Sequence, residues 1–556
     1  MRHTLTSLVA LAAALLLALF PAPAQAQPRE HDHARCGTVL FAEMQQHPER
    51  LDKRDRELLS ALSSARPQTQ QLIYSANRNF ALHYDITGPD AVPTIDRDGN
   101  GTPDYIDSAA LWLEYARRVE VDEYGYLAPP PDNGGPGPEI DVYFQNLSPN
   151  GLYGFAAPEN ITSNTATGYL VLDNDYTESL YESNGMAGVR VTSAHELHHL
   201  IQFGSYRYDL TQATVYEATS VWFERQLHPL IPDYEPYLRA LFFAPQNYGM
   251  STHKVSDGVT GYAHEIYMDY LATKLDRDVV RSIWERFRDE PNCWRAVDRA
   301  LVDRGLNLRT SVEELSTWCY FSGARAVDDT SYFRGADTMP PLRVARFVQW
   351  DPDVDEVVIE GTLFPLGFGL YQVGLPNATG QLRDTVTFVV TNSRTDLPIG
   401  GNNIEKEPFT IRLSRNRRDG DRPVRGPEDS IAYTVTTFGK TFTVAVYLGR
   451  FGSVSAVPRI SPQPFLNDGV NRLLFDLGEA TEPSAIRSIT LNLYSVGLTP
   501  IVHIERTSLD VDRQMMGVAW DGRDSRGDIV PSGVYIYEMA VNGEAPRLGK
   551  VMVIRR

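Results

Sequence analysis

The stretch Val191 to Phe203, VTSAHELHHLIQF, constrains this chain more than any other. It contains HELHH, with His195, Glu196 and His199. Val191, Ala194, Leu197, Leu200 and Ile201 recur at three- and four-residue intervals, so the spacing predicts a helix, with Gly204 as its stop. Two histidines four apart on a helix project from one face, a turn apart, and can reach a single metal ion. Glu196 stands beside the first of them, where a carboxylate can take a proton from a water held by that ion. A third ligand is expected from TVYEATSVWFERQL, Thr214 to Leu227, a second helix with an aromatic and aliphatic face. Glu217 lies eighteen residues after His199. That leaves room to end one helix, turn through the polar Ser205 to Gln212 and return a carboxylate to the same ion. His195, His199 and Glu217 with one water make a tetrahedral zinc site with an open position. Glu224, seven residues on and on the same face, is the rival ligand; its ordinary reading is a solvated or salt-bridged glutamate.

A second metal motif lies upstream. DRDGNGTPDYID fits a twelve-residue EF-hand-like loop. Asp96, Asp98 and Asn100 take positions 1, 3 and 5, Gly101 position 6, the Thr102 carbonyl position 7, Asp104 position 9 and Asp107 position 12. Alternate oxygen donors wrap a hard cation, and glycine allows the sharp turn. Pro103, and Asp rather than Glu at the last position, depart from the pattern, and an Asx-rich turn without an ion is the alternative. A helix from Ala109 to Tyr124 is expected to follow. A single loop implies structural rather than sensing Ca2+.

Arg2 and His3, the apolar run Leu8 to Phe20 and the small-residue site Ala24-Gln25-Ala26 read as a secretory signal peptide, so the chain is expected to be secreted or displayed at the cell surface. The run is short of the ~20 residues a bilayer needs, no later run is longer, and no transmembrane anchor is expected. A net charge of −19 argues against nucleic acid and anionic membranes as partners. Export permits a disulfide. Cys293 and Cys319, in consecutive helical segments, are placed to pair and leave Cys36 over; three simple thiols are the alternative. Cys36 sits in ARCGT, near the expected mature N-terminus and flanked by His31 and His33. If that segment crosses the cleft, its thiolate can take the open zinc position; otherwise it is a disulfide partner or an inert thiol.

The rest of the chain sets the architecture. FALHYDIT from Phe80, Ile140 to Phe144 and Tyr169 to Leu172 read as strands. Gly261 to Leu275 reads as a helix, with Tyr262 and His264 as candidates to stabilise an oxyanion and aromatic core packing as the alternative. Helical segments continue over Val279 to Arg288 and Ser311 to Phe321. From Pro341 the apolar period switches to two. The expected fold is multidomain α+β: signal peptide 1–26, a partly helical N-terminal segment and possible propeptide 27–80, a domain carrying the zinc site and the calcium loop 81–330, a β-sandwich 331–455 and a further β module 456–556.

AHELHHLIQ, VYEATSVWFE and NGTPDY together resemble the gluzincin metallopeptidases (HExxH with a glutamate on a following helix). The closer resemblance is to a family of secreted, multidomain bacterial metalloproteases that carry all three strings, and it spans Cys36 to Ala326. The resemblance implies a gluzincin-like fold, catalytic Zn2+ on His195, His199 and Glu217, Glu196 as general base, and a protein or peptide substrate. It favours Tyr262 for the oxyanion and places the strand Tyr169 to Leu172 at the cleft edge, where substrate adds by strand pairing. Two departures matter. Val221 stands where thermolysin-like enzymes have an aspartate, and GYLVLDND, Gly168 to Asp175, replaces the aminopeptidase strand, so endopeptidase is the expected activity. WDGRDSRGDIVPSGVYIYEM, Trp520 to Met539, resembles the immunoglobulin-like domain of flagellar hook-capping proteins and the sorting domains of type IX secretion cargo, implying secretion machinery as a partner. The alternative function is a catalytically silent zinc- and calcium-binding surface adhesin on the same fold.

Overall fold

Five strands, β1 (Gln71–Tyr74), β2 (Phe80–Tyr84), β3 (Ile140–Gln145), β4 (Gly154–Glu159) and β5 (Thr167–Asp173), form one mixed sheet in the order β1-β2-β3-β5-β4. β2, β3 and β5 run parallel, and the outer strands β1 and β4 are antiparallel to their neighbours. The structure, a computed structural model, describes residues 66–555 with internal gaps, the longest at 417–431, 478–487 and 508–516. Ahead of residue 66 it describes Cys36, Gly37, Thr38, Leu40, Phe41, Met44, Leu51, Lys53, Arg56, Glu57, Leu59 and Ser60. The expected signal peptide, His31 and His33 lie outside the described residues.

Both faces of this sheet are buried, which is why its interior strands are apolar almost throughout. Val142, Phe144, Ala156, Leu170 and Leu172 face the main core with α1 (Asp104–Arg117) and α2 (Met186–Ile201). Tyr143, Phe155, Tyr169 and Val171 face the other way and are covered by Phe41, Leu51 and Leu59 of the N-terminal segment. The Phe41 and Phe155 rings meet at 5.3 Å. Tyr169 to Leu172, expected at the cleft edge, lies inside β5 and is paired on both sides. The true edge is β4, GFAAPE, whose paired alanines and Pro158 give a weak strand signal; proline is tolerated because an edge strand leaves one side unbonded.

Five further helices, α3 (Ala213–Leu227), α4 (Glu235–Phe243), α5 (Glu265–Lys274), α6 (Asp278–Asp289) and α7 (Cys293–Val302), with α8 (Leu308–Tyr320), build a helical lobe around α2. Asn292 and Asn307 cap α7 and α8 by accepting backbone N–H groups of the first turn. The expected helix Ala109 to Tyr124 is α1 followed by a wider turn, Arg118–Glu123. The expected helix from Gly261 starts with a tight 3-10 turn, Tyr262–His264, before α5. Cys36, Cys293 and Cys319 are all free and buried, so the expected Cys293–Cys319 disulfide is not formed.

β6 (Val344–Gln349), β7 (Glu356–Leu363), β8 (Gly367–Pro376), β9 (Leu382–Asn392), β10 (Glu407–Asn416), β11 (Ala432–Phe438) and β12 (Phe442–Arg450) form two sheets, ordered β11-β10-β7 and β12-β9-β8-β6. The two share an apolar cluster that includes Trp350, Ile359, Phe388 and Phe409. Leu370 and Val389 belong instead to the main core, and Tyr447 stacks on Tyr320 of α8 at 4.2 Å. Apolar packing therefore runs unbroken across the expected boundary at 330. Strands between Arg459 and Arg555 form two more sheets around Phe465, Leu491, Trp520 and Tyr537. The protein is a mixed α and β structure with several sheets. Among the described residues no helix is long and apolar enough to cross a membrane.

Candidate metal centre

From Val191 to Ile201 every residue of α2 is buried. A helix buried on all sides is under pressure to pair the polar side chains it carries, because an unpaired buried polar group costs roughly 1–3 kcal/mol. The partners of HELHH define the site. His195 Nδ1 meets Glu224 Oε1 at 2.5 Å, and His199 Nδ1 meets Gln202 Oε1 at 2.7 Å. Gln202 is itself fixed, donating through Nε2 to the Tyr216 carbonyl and to the Thr219 and Ser220 hydroxyls. With both Nδ1 atoms engaged, the two Nε2 atoms turn toward one another, 3.0 Å apart. His198, beside His199, is fully buried and meets Glu120 Oε2 at 2.8 Å, 78 residues away in the chain.

Glu217 comes from α3 to the same point. Its oxygens lie 3.2 Å from His195 Nε2 and 3.4 Å from His199 Nε2, yet neither contact has hydrogen-bond geometry, and both oxygens are buried without a donor. Burial pushes its carboxyl up; the facing His199 and His195 overcome that and hold it down at about 2. Cys36 completes the set. Cys36, His195, His199 and Glu217 form a buried cluster whose donor atoms all lie within 4.8 Å of one another. Orphaned carboxylate oxygens facing two imidazole nitrogens and a thiol fit a metal ion. Glu224 does not join this set. It is 7% exposed rather than solvated, and it acts on His195 from behind. Such outer carboxylates fix the ring and raise its basicity as a ligand. Val221 sits one turn earlier on α3.

Glu196 lies 1% exposed at the rim of the cluster. Burial raises its carboxyl above the usual range, with the opposing pull of His195 and His199 not restoring it. A narrow cleft beside it is lined by Cys36, Tyr153, Thr192, Glu196, Asp233, Tyr237 and Tyr262. Tyr262 stacks on Tyr237 at 4.9 Å and lies 6.2 Å from the His195 ring, so the structure brings it to the site. His264 is not brought there. Two places on in a tight turn, it points elsewhere, and its Nδ1 accepts the Gly261 N–H at 3.2 Å.

In the loop expected to hold calcium, Asp96, Asp98 and Asp104 bring carboxylate oxygens within 4.8 Å of one another. Gly101 has the positive φ, +91°, that the sixth position requires. Asp107 stands apart from that trio, accepting from Asn100 Nδ2 at 2.9 Å, and Asn100 Oδ1 accepts the Thr102 N–H at 2.7 Å. Arg97 pairs with Asp104 at 2.6 Å.

No family model matches this sequence, and no curated protein matches it. A solved structure that does match is the crystal structure of dimeric latent PorU from Porphyromonas gingivalis, at 13% identity and a TM-score of 0.15. The match covers 38% of this chain and 19% of that one, and a likeness of that size carries no argument about fold or function.

Proposed function

We propose that this protein is a secreted zinc-dependent endopeptidase. The observation that carries the reading is the buried cluster of His195, His199 and Glu217 with Glu196 at its rim and the edge strand β4 beside it. Imidazole, carboxylate and thiol donors suit zinc better than the hard cations, which take oxygen ligands. Bound there, zinc supplies a Lewis acid that polarises a peptide carbonyl and makes water nucleophilic near neutral pH. Glu196 takes the proton of the attacking water and returns it to the leaving amine. Its raised carboxyl suits a group that must hold a proton between those steps. The Tyr262 hydroxyl donates to the oxyanion as it forms. β4, the outer strand of its sheet, offers an edge to which an extended peptide can add. Glu224 and Gln202 keep both imidazoles aimed throughout.

One observation favours the second reading, a silent surface adhesin. Four protein donors make a closed set, and closed sets are usual for structural zinc. Against it stands Glu196, which a structural ion does not need. The acidic loop from Asp96 is read as a structural Ca2+ site, from its alternating oxygen donors and the approach of Asp96, Asp98 and Asp104; the strands after Arg459 are read, on the sequence resemblance, as the module through which secretion machinery handles the chain. Glu196→Gln tests the reading in a Cys36→Ser chain, where three donors leave a position open: the double variant keeps its zinc and loses casein hydrolysis. Hydrolysis within about tenfold of Cys36→Ser alone would reject Glu196 as the base.

A further inference from the structure

The segment Cys36–Thr38 touches every part of the site that a substrate would use. Cys36 Sγ belongs to the metal-donor cluster and lies 3.5 Å from Glu196 Oε2. The Cys36 N–H donates to the Tyr262 hydroxyl at 3.2 Å. The Gly37 N–H donates to the Gly154 carbonyl at 2.9 Å, so the segment makes a single parallel bridge to β4 at Cys36. The Thr38 hydroxyl donates to Glu196 Oε2 at 3.1 Å and accepts the Ala156 N–H at 2.8 Å. An inert thiol requires none of these contacts.

We propose that Cys36 is the fourth ligand of the metal centre and that its segment occupies the substrate's course along β4, so that the intact chain is latent. The three residues divide the task. Cysteine supplies a thiolate to the ion. Glycine permits the close approach to β4, since a Cβ at position 37 would lie 3.0 Å from Phe155 Cβ and 3.3 Å from Leu152 Cδ1. Threonine occupies Glu196 and keeps it from a water. The segment is held on its C-terminal side: Phe41 packs on Phe155, and Arg66 pairs with Asp132 at 2.6 Å and with Asp141 and Glu159. Activation is then the loss of the Cys36 ligand, most simply by a cut after Thr38. The course of 36–38 also marks the substrate's own, one strand beyond β4 and parallel to it at Gly154.

This proposal rests on the endopeptidase reading only for the word latent, and the experiment separates the two. Full-length wild type, Cys36→Ser and Glu196→Gln are loaded with cobalt(II), and each is measured for thiolate-to-cobalt charge-transfer absorption and for casein hydrolysis. Wild type shows the sulfur band, Cys36→Ser lacks it, and hydrolysis by Cys36→Ser exceeds wild type by about tenfold or more, with none by Glu196→Gln. As a check that needs no variant, the Cys36 thiol of wild type resists a disulfide reagent until a chelator is added; Cys293 and Cys319 are fully buried in the helical lobe. A wild-type spectrum without the sulfur band, or a thiol equally reactive with and without chelator, overturns the ligand. A sulfur band with equal hydrolysis by wild type and Cys36→Ser overturns the latch. A sulfur band with no hydrolysis by any form supports the ligand and overturns the endopeptidase reading instead.

Discussion

Replacing Gly261 by alanine probes the proposed metal centre from behind. Gly261 has φ +94° and ψ −67°, a conformation that costs an L-residue about 1–3 kcal/mol. The added Cβ would also lie 2.8 Å from Glu217 Cβ and 3.3 Å from its Cγ. Glu217 is anchored in the buried helix α3 and has nowhere to retreat, so overpacking adds about 1–3 kcal/mol. The two effects together predict a loss of about 2–6 kcal/mol, and part of it falls on the ligand itself. If Glu217 is pushed from the point that His195 and His199 face, the variant binds zinc less tightly. Because a ligand stabilises the native state by RT ln(1 + [L]/Kd), zinc then adds less stability to Gly261→Ala than to wild type. The assay is urea denaturation of both proteins, stripped of metal and at fixed free zinc. A variant within about 0.5 kcal/mol of wild type, or one that gains the same increment from zinc, would refute the reasoning.

His264, fully buried, should make stability depend on pH. Burial holds its imidazole down at about 4, and neutral Nδ1 is needed to accept the Gly261 N–H. The unfolded chain protonates this histidine near pH 6.5 and the native chain only near 4, so stability is lost as pH falls between those values and is flat outside them. The contribution is about 3 kcal/mol. His264→Asn keeps an acceptor in place and should lose this slope; an unchanged difference between pH 7 and pH 4 counts against it. At the acidic loop, calcium should raise the melting temperature of wild type and not of the Asp96→Ala/Asp98→Ala double variant. An equal response in both would reject the loop as its site.

What could be read from the sequence was local. HELHH gave a helix with two imidazoles on one face because a four-residue spacing is a helical turn, and the approach of Glu217 followed from the length of chain available to return to them. Glu224 was legible as sharing a face with Glu217, but not that it would be buried and would turn His195; that needs the depth of α3 in the core. Glu120 and His198 meet across 78 residues, and Cys36 meets Glu196 across 160, distances over which no spacing rule operates. β4 was missed because its alanines and proline describe an edge strand, whose stability comes from its neighbours. Tyr262 and His264 looked alike until a tight turn sent them to different places.

Four buried donors from three parts of the chain, Cys36, His195 with His199, and Glu217, are proposed to hold a metal. Elemental analysis after dialysis against limiting zinc tests it most directly, on wild type, Glu217→Ala and Glu224→Ala. Wild type should retain about one zinc per chain, Glu217→Ala should lose it, and Glu224→Ala should retain it with affinity weakened about 10–100-fold. A wild type without zinc, or a Glu217→Ala variant that binds it as tightly as wild type, would contradict the claim.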